Sequence, residues 1–423
     1  MERQVYNLAI CGCGPAGISP LVYLEENKLL EKYLDEGICL IDEKENIGAG
    51  KLINYNITAN SLGKVFLEIF QKENSSLYKH LMSKESYKNI SSKLESAPYL
   101  KEVGNLLQDI GSYFIDKIRD RNNGEVYNNH KILEVKRNKK NIFEIKLQSF
   151  DNKFKTILAR HVIFNIGGKQ NELFEKEKTV IYSDDFISGL HDDFVNEFSN
   201  SENKTVISIV GSSHSAFSSL YRLKNNFNFL NRNNIKIQVF NRSNIKLFYN
   251  SVEEAINDNY QFNMDQDVCY LSNRVNRYSG LRYDSFILAK ECMSHKYKNV
   301  EIKNKEFTES DFLDSSLVIC ATGYTNKSVE ILDSNHEEII FQLEQGQLLT
   351  DHYCRPYIHN SNNVFEKFYT YGLGSGIKTN PKNGGELNYT GRIDGVWVYQ
   401  HEVSKRIVED ISYSIQAENK VNI

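Results

Sequence analysis

Gly12, Gly14 and Gly17 stand at the spacing G-x-G-x-x-G, and each answers a separate steric demand. The first permits a tight bend, the second lets a pyrophosphate lie against bare backbone, and the third lets the next helix pack close to a sheet. With Pro15 and Ala16 they form a turn that opens a helix, whose free N-terminal amides and dipole attract phosphate. Gly12 to Glu43 is 31 residues, which puts a carboxylate where a ribose diol is gripped. Glu43 is preferred for that role because Lys44 follows it just past the strand; Asp42 is the alternative. The bound group is a dinucleotide, FAD or NAD.

The arrangement recurs. Gly211-Ser212-Ser213-His214-Ser215-Ala216 is a second small-residue turn, and Gly211 to Asn241 is 30 residues. Ser213 replaces the middle glycine and Ala216 the last, so the side chains stay small while the hydroxyls of Ser213 and Ser215 offer donors to phosphate. Where the first unit ends in Glu43-Lys44, this one ends in Asn241-Arg242. A carboxylate there repels a ribose 2'-phosphate, whereas a neutral Asn beside a guanidinium accommodates one, which favours NADP over NAD. The plainer alternative is that Arg242 is a solvated surface charge.

These turns need elements to hold them. Tyr6 to Cys11 reads as an apolar strand, and Ile18, Leu21, Tyr23 and Leu24 place an apolar face on the helix after it. Gly37 to Asp42 is the next strand. From about residue 72 to 122 the chain is expected to be a helical insert, with Val103, Leu106, Leu107, Ile110, Phe114 and Ile118 as its core stripe. Three alternating segments, Lys131 to Lys136, Asn141 to Gln148 and Phe154 to Leu158, predict an antiparallel meander. A separate strand, His161 to Ile166, closes at Gly167-Gly168. Val206 to Val210, the helix from Phe217 and the strand Ile235 to Phe240 build the second unit. The fold class is therefore α/β: two Rossmann-like dinucleotide-binding domains, the second inserted in the first, with an antiparallel β meander.

Composition excludes several function classes. The chain has 423 residues, enough for two domains, and no apolar run long enough to span a membrane. Lys and Arg number 51 against 55 Asp and Glu, so no nucleic acid or membrane partner is implied. Tyr6 to Gly17 already reads as strand, turn and helix, leaving no leader, and a cytoplasmic location is expected. Seven cysteines lack C-x-x-C or disulfide-framework spacing and are expected to be reduced and buried. The ten histidines lack metal-ligand spacing, and His191-Asp192-Asp193 reads as a solvated turn, so no metal is expected.

The order of these motifs resembles that of the two-dinucleotide-binding flavoproteins, and within them the class B flavin monooxygenases and amine N-hydroxylating monooxygenases. It rests on the turn Gly12 to Gly17, Glu43, the strand His161 to Gly168, the turn Gly211 to Ala216, and Ala321-Thr322-Gly323-Tyr324 after the apolar strand Leu317 to Cys320. The resemblance implies that Ala321, Thr322 and Gly323 mark the return crossing between the domains. It assigns 1–167 and 323–423 to an FAD-binding domain and 168–322 to an NADP-binding domain. Asp394 would face the ribityl chain, and the helix start at Gly395 would stabilise negative charge on the flavin. Ser316 and Val329 depart from the residues that N-hydroxylases carry around the Ala-Thr-Gly-Tyr segment.

The activity implied is that of an FAD-dependent monooxygenase that uses NADPH and O2 to oxygenate an amine or other soft nucleophile of a small metabolite. Asn56, Thr58 and Asn60, in the segment Asn54 to Ser61 that approaches the flavin in related proteins, are the candidate catalytic hydrogen-bond partners; an Asn-rich turn is the plainer reading. The alternatives are an NAD(P)H-dependent flavin reductase or dehydrogenase without a redox disulfide, and a non-catalytic flavin-binding partner protein in biosynthesis.

Overall fold

The computed structural model describes residues 4–70, 75–171, 179–199 and 202–421. Among the described residues the strands form two large sheets and two small two-stranded ones. The larger one has the order β14-β4-β5-β6-β1-β2-β3, formed by β1 (Val5–Cys11), β2 (Ile38–Ile41), β3 (Glu125–Tyr127), β4 (His130–Arg137), β5 (Phe143–Ser149), β6 (Phe154–Phe164) and β14 (Glu330–Leu332). The short strand Phe368–Tyr369 also runs parallel to β6. β1 pairs in parallel with both β2 and β6, and both its faces are buried, Leu8 and Ile10 in one apolar core and Tyr6, Ala9 and Cys11 in another.

β6 corrects the sequence reading. The third meander strand and the strand expected at His161 to Ile166 are one element, because Ala159-Arg160 offers no turn residue to interrupt it. Its first half pairs antiparallel with β5, and its second half parallel with β1. The meander is thus welded directly onto the nucleotide-binding sheet. The helical insert is broken into Ser76–Met82, Glu85–Ser91 and the long helix Leu100–Arg119, whose expected apolar stripe is buried in the core beneath β1 and β2.

The second sheet is wholly parallel, in the order β11-β10-β9-β12-β8: β8 (Val180–Tyr182), β9 (Thr205–Val210), β10 (Ile235–Asn241), β11 (Val300–Asn304) and β12 (Leu317–Cys320). It has its own apolar core, built on Ile207, Ile209, Phe217, Leu220 and Ile237. The two chain crossings between the sheets lie side by side, since β7 (Gly168–Gln170) pairs antiparallel with β13 (Tyr324–Asn326). His191-Asp192-Asp193 is not a free turn: Asp192 starts the helix Asp192–Ser199 and grips the buried Arg222 through two bonds of 2.6 Å. Among the described residues, no helix is long and apolar enough to cross a membrane.

Candidate functional site

The first turn is shaped by contacts that forbid side chains. Gly12 has φ +83°, and a Cβ there would lie 2.3 Å from the carbonyl oxygen of Asn165. A Cβ on Gly17 would lie 2.0 Å from the carbonyl oxygen of Gly12, whereas one on Gly14 would meet only Gly50, at 3.5 Å. Gly14 therefore keeps backbone open where the other two are closed by protein. Pro15 begins the helix Pro15–Glu26, and the carbonyl of Ala16 accepts a bond of 2.6 Å from the Tyr371 hydroxyl. The carboxylate facing this turn is that of Asp42, which accepts from the backbone N–H of Cys13 at 2.6 Å and of Lys44 at 2.8 Å. Burial pushes the Asp42 carboxyl up, against the pull of those two bonds. Glu43 points outward into an exposed pair with Lys327 at 3.2 Å.

The second turn repeats the tight first glycine of this design. Gly211 has φ +127°, and a Cβ would lie 2.3 Å from the carbonyl oxygen of Ala321, which brings the two motifs into contact. Ser213 is exposed at the N-cap of the helix His214–Asn225, its hydroxyl free of any capping bond, and Ala216 is buried beneath. Asn241 is buried and donates to the carbonyl of Ser243 at 2.6 Å. Arg242 is exposed and carries no ion pair among the described residues.

Between the turns, the segment 54–61 bridges the two units. Ile57 is buried in the core of the second sheet, and the Thr58 hydroxyl donates to Asp284 of that unit at 2.8 Å. Asn56 and Asn60 are exposed. Thr58 is thus engaged in holding the units together, while the two asparagines keep free faces. Close by, the buried Asp184 accepts from Lys51 at 2.7 Å, from the Tyr55 hydroxyl at 3.0 Å and from the Tyr324 hydroxyl. Thr322 is tied to Asn171 through its hydroxyl, at 3.2 Å, and Gly323 turns the chain with φ +86°.

Asp394 and Gly395 introduce a continuous helical run, Val396–Val398, Tyr399–Val403 and Ser404–Val421, in which the middle five residues form a π turn. Asp394 is half-buried among Tyr389 and Tyr399, and burial pushes its carboxyl up to about 6. Gly395 and Gly167 have no heavy atom within 4 Å of where a Cβ would stand, and the buried Asn165 Nδ2 has no partner. Open backbone at Gly14, Gly167 and Gly395, together with an unsatisfied amide at Asn165, fits a long polar cofactor with a planar head. These residues fit FAD.

Sequence reading missed the residues that join the units. Glu386 is completely buried and accepts from the backbone N–H of Tyr278 (2.9 Å) and Ser279 (2.8 Å) and from the Ser279 hydroxyl (2.8 Å). Neither Glu386, Asp184 nor Asp284 lies in a motif, so nothing in local sequence marks them.

No family model matches the sequence. A curated relative, CMP-5'-(3-aminopropyl)phosphonate hydroxylase of Streptomyces rubellomurinus (strain ATCC 31215), is 28% identical over 95% of this chain and 96% of its own. Among solved structures, the reduced form of ornithine hydroxylase from Pseudomonas aeruginosa superposes with a TM-score of 0.59 at 13% identity, covering 96% of this chain and 99% of that one. L-lysine 6-monooxygenase from Pseudomonas syringae gives 0.59 at 12% identity, over 97% and 100%. The chain has the two-dinucleotide-binding flavoprotein fold. That fold accounts for the doubled turn, the paired crossings at β7 and β13, and the return of the C-terminal segment to the first sheet. The resemblance to N-hydroxylating flavin monooxygenases thus extends from motif order to the whole backbone.

Proposed function

We propose that this chain is an FAD- and NADPH-dependent monooxygenase that oxygenates an amine nitrogen of a small metabolite. The observation that carries the reading is the meeting of two nucleotide cradles: open backbone at Gly14, Gly167 and Gly395 belongs to one, the turn Gly211 to Ala216 to the other, and Gly211 touches Ala321 at the crossing between them. In this reading residues 1–167 and 323–423 hold FAD and 168–322 hold NADPH. The balanced reaction is R-NH2 + O2 + NADPH + H+ giving R-NHOH + H2O + NADP+. The flavin, when bound, supplies the electron transfer and oxygen activation. The protein's part is to grip, orient and exclude water. Asp42 would hold the adenosine ribose, Gly12 to Gly17 the pyrophosphate, and Asp394 the ribityl hydroxyls, with the helix start at Gly395 placing positive dipole against the flavin. Ser213, Ser215 and the amides of the second turn would take the NADPH pyrophosphate, and exposed Arg242 its 2'-phosphate. Asn56 and Asn60 are exposed side chains of the segment that would face flavin or substrate, with Thr58 positioning them.

The name of the Streptomyces relative includes an aminopropyl group, which supports an amine as the oxygen acceptor. The reductase alternative needs a thiol pair or another electron acceptor. The cysteines bear only on a disulfide-reducing version: all seven are free and buried, and burial leaves every thiol but that of Cys269 raised, an environment unsuited to thiol–disulfide exchange. The test is oxygen uptake by the FAD-loaded protein with NADPH across a panel of primary amines, with mass spectrometry of products. A hydroxylamine one oxygen heavier than its amine, formed in step with NADPH loss, is expected. Stoichiometric peroxide with every amine would replace this reading with the reductase one.

A further inference from the structure

The second unit holds a group of cations that the nucleotide turns do not use. Lys246 to Phe248 runs beside Leu281, joined by a bond of 2.8 Å from Leu281 N–H to the Lys246 carbonyl and one of 3.0 Å from Phe248 N–H to the Leu281 carbonyl. The Arg282 guanidinium stacks 3.8 Å from the Phe248 ring centre and donates to the Arg277 carbonyl at 2.5 Å. Arg277 lies 3.9 Å from Glu402 and stacks on Tyr278. Lys246 and Arg282, both half-buried, have no ion-pair partner among the described residues. Arg274 adds a further exposed positive charge nearby.

The neighbouring carboxylates bond to other donors, and the charges of Asp267 and Glu386 reach Lys246, and that of Glu386 reaches Arg282, without a direct ion pair. Glu386 is taken by the backbone of Tyr278 and Ser279, Asp267 by Asn388 and the Asn263 N–H, and Glu402 stands at 3.9 Å from both Arg277 and Arg406. Withdrawing unpaired cations from water is costly unless an anion completes the site. The cost is visible in their acidity: burial lowers Lys246, and burial with Arg274 and Arg277 nearby lowers Arg282 to about 10. His214, bonded at 3.1 Å to the Gly280 carbonyl, is held neutral, lowered to about 4 by burial and by Arg282, and adds no charge. The Tyr278 hydroxyl is buried without a partner, one more donor waiting for an acceptor.

The cluster borders the second turn, since His214 of that turn bonds to the Gly280 carbonyl at 3.1 Å, but its cations are not the groups assigned to the NADPH phosphates. The pyrophosphate has the turn amides of Gly211 to Ala216, and the 2'-phosphate has Arg242 at the end of β10. Arg277 and Arg282 lie on 276–282, the stretch fastened by Glu386 to the segment that leads into Asp394 and Gly395, and Lys246 lies on the segment beside it. We propose that Lys246, Arg277 and Arg282 form a phosphoryl-anion subsite, and that the amine this enzyme oxygenates carries a phosphate or phosphonate group held there. Guanidinium forks match the geometry of such an anion. This rests on the monooxygenase reading above for the word substrate, but not for the binding of the anion.

The test is binding to the FAD-loaded, oxidised protein by calorimetry, with 3-aminopropylphosphonate and n-butylamine as probes and NADPH titrated separately. The phosphonate amine should bind more than about tenfold tighter than butylamine, and Arg282→Gln should weaken it by about tenfold or more, the loss of one charge-assisted contact. NADPH affinity should change less, and Arg282→Lys should restore part of the loss. Lys246→Gln, at a half-buried side chain without an ion pair, supplies a second variant, with flavin absorbance and melting temperature as folding controls. An equal or larger loss of NADPH affinity would assign the cluster to the cofactor, and equal binding of the two amines or unchanged affinity in both variants would make it structural; each overturns the proposal. Failure of the monooxygenase reading would show separately, as absence of hydroxylamine in turnover.

Discussion

At the scale of single residues, the first nucleotide turn turns on which carboxylate faces it. Sequence spacing favours Glu43, yet the strand delivers Asp42 to the turn, where it accepts from Cys13 and Lys44, and turns Glu43 out towards Lys327. Asp42 is the first residue past β2 and Glu43 lies in the bend after it, so a one-residue choice decides between the turn and solvent. Asp42→Asn should therefore lower FAD retention and weaken the turn by about 1–3 kcal/mol, since a charge-assisted bond to Cys13 N–H is replaced by a neutral one. Glu43→Gln should leave FAD content at the wild-type level. Flavin absorbance per chain after gel filtration reads both; loss of FAD in Glu43→Gln with retention in Asp42→Asn would reverse the assignment. The glycines of both turns were legible because a Cβ is sterically forbidden at Gly12, Gly17 and Gly211. Asp184 and Glu386 were not, because their partners lie more than a hundred residues away and no local pattern encodes them.

At the scale of elements, strand-turn-helix units could be read because hydrophobic period and turn chemistry are local signals. The union of the third meander strand with the crossing strand into β6 depends on pairing with β5 at one end and β1 at the other, which only tertiary structure decides. The C-terminal helical run shows how an element sets an acidity. Asp394 precedes the helix start and is pushed up to about 6 by burial, with Tyr389 and Tyr399 beside it. A carboxyl whose folded pKa exceeds its unfolded value binds its proton more tightly in the folded state. Its contribution to stability is thus greatest in acid and declines as pH rises from about 4 to about 6. In FAD-stripped protein, Asp394→Asn should remove that decline and raise stability above pH 6 by roughly 1–3 kcal/mol, at about 1.4 kcal/mol per pKa unit. In loaded protein the same change should weaken FAD, because in the proposed binding mode the ribityl hydroxyls would lose a charged acceptor. Melting curves with and without FAD from pH 4 to pH 8 check both signs; a stripped variant with the wild-type pH profile would show that Asp394 is not the titrating group.

At the scale of the whole molecule, the proposed function needs the two units held in register, and among the contacts that do this are three built on carboxylates. Thr58 meets Asp284, Lys51, Tyr55 and Tyr324 converge on Asp184, and Glu386 fastens Tyr278 and Ser279. Glu386 is the most consequential because it is completely buried and takes three donors with one carboxylate. Glu386→Ala would strand two backbone N–H groups and a hydroxyl, and each unsatisfied buried donor costs about 1–3 kcal/mol before water enters to relieve it. The expected result is a lower melting temperature together with a functional fault: NADPH still consumed, but with more of the oxygen released as peroxide, because the loosened junction admits water beside the flavin. Thr58→Val, which gives up one hydrogen bond, should show the same fault in weaker form. Peroxide formed per NADPH consumed, measured for the two variants and the wild type, separates a junction that guards the reaction from one that only stabilises the fold. An unchanged ratio in Glu386→Ala, at whatever melting temperature, would leave the latch with a purely structural role.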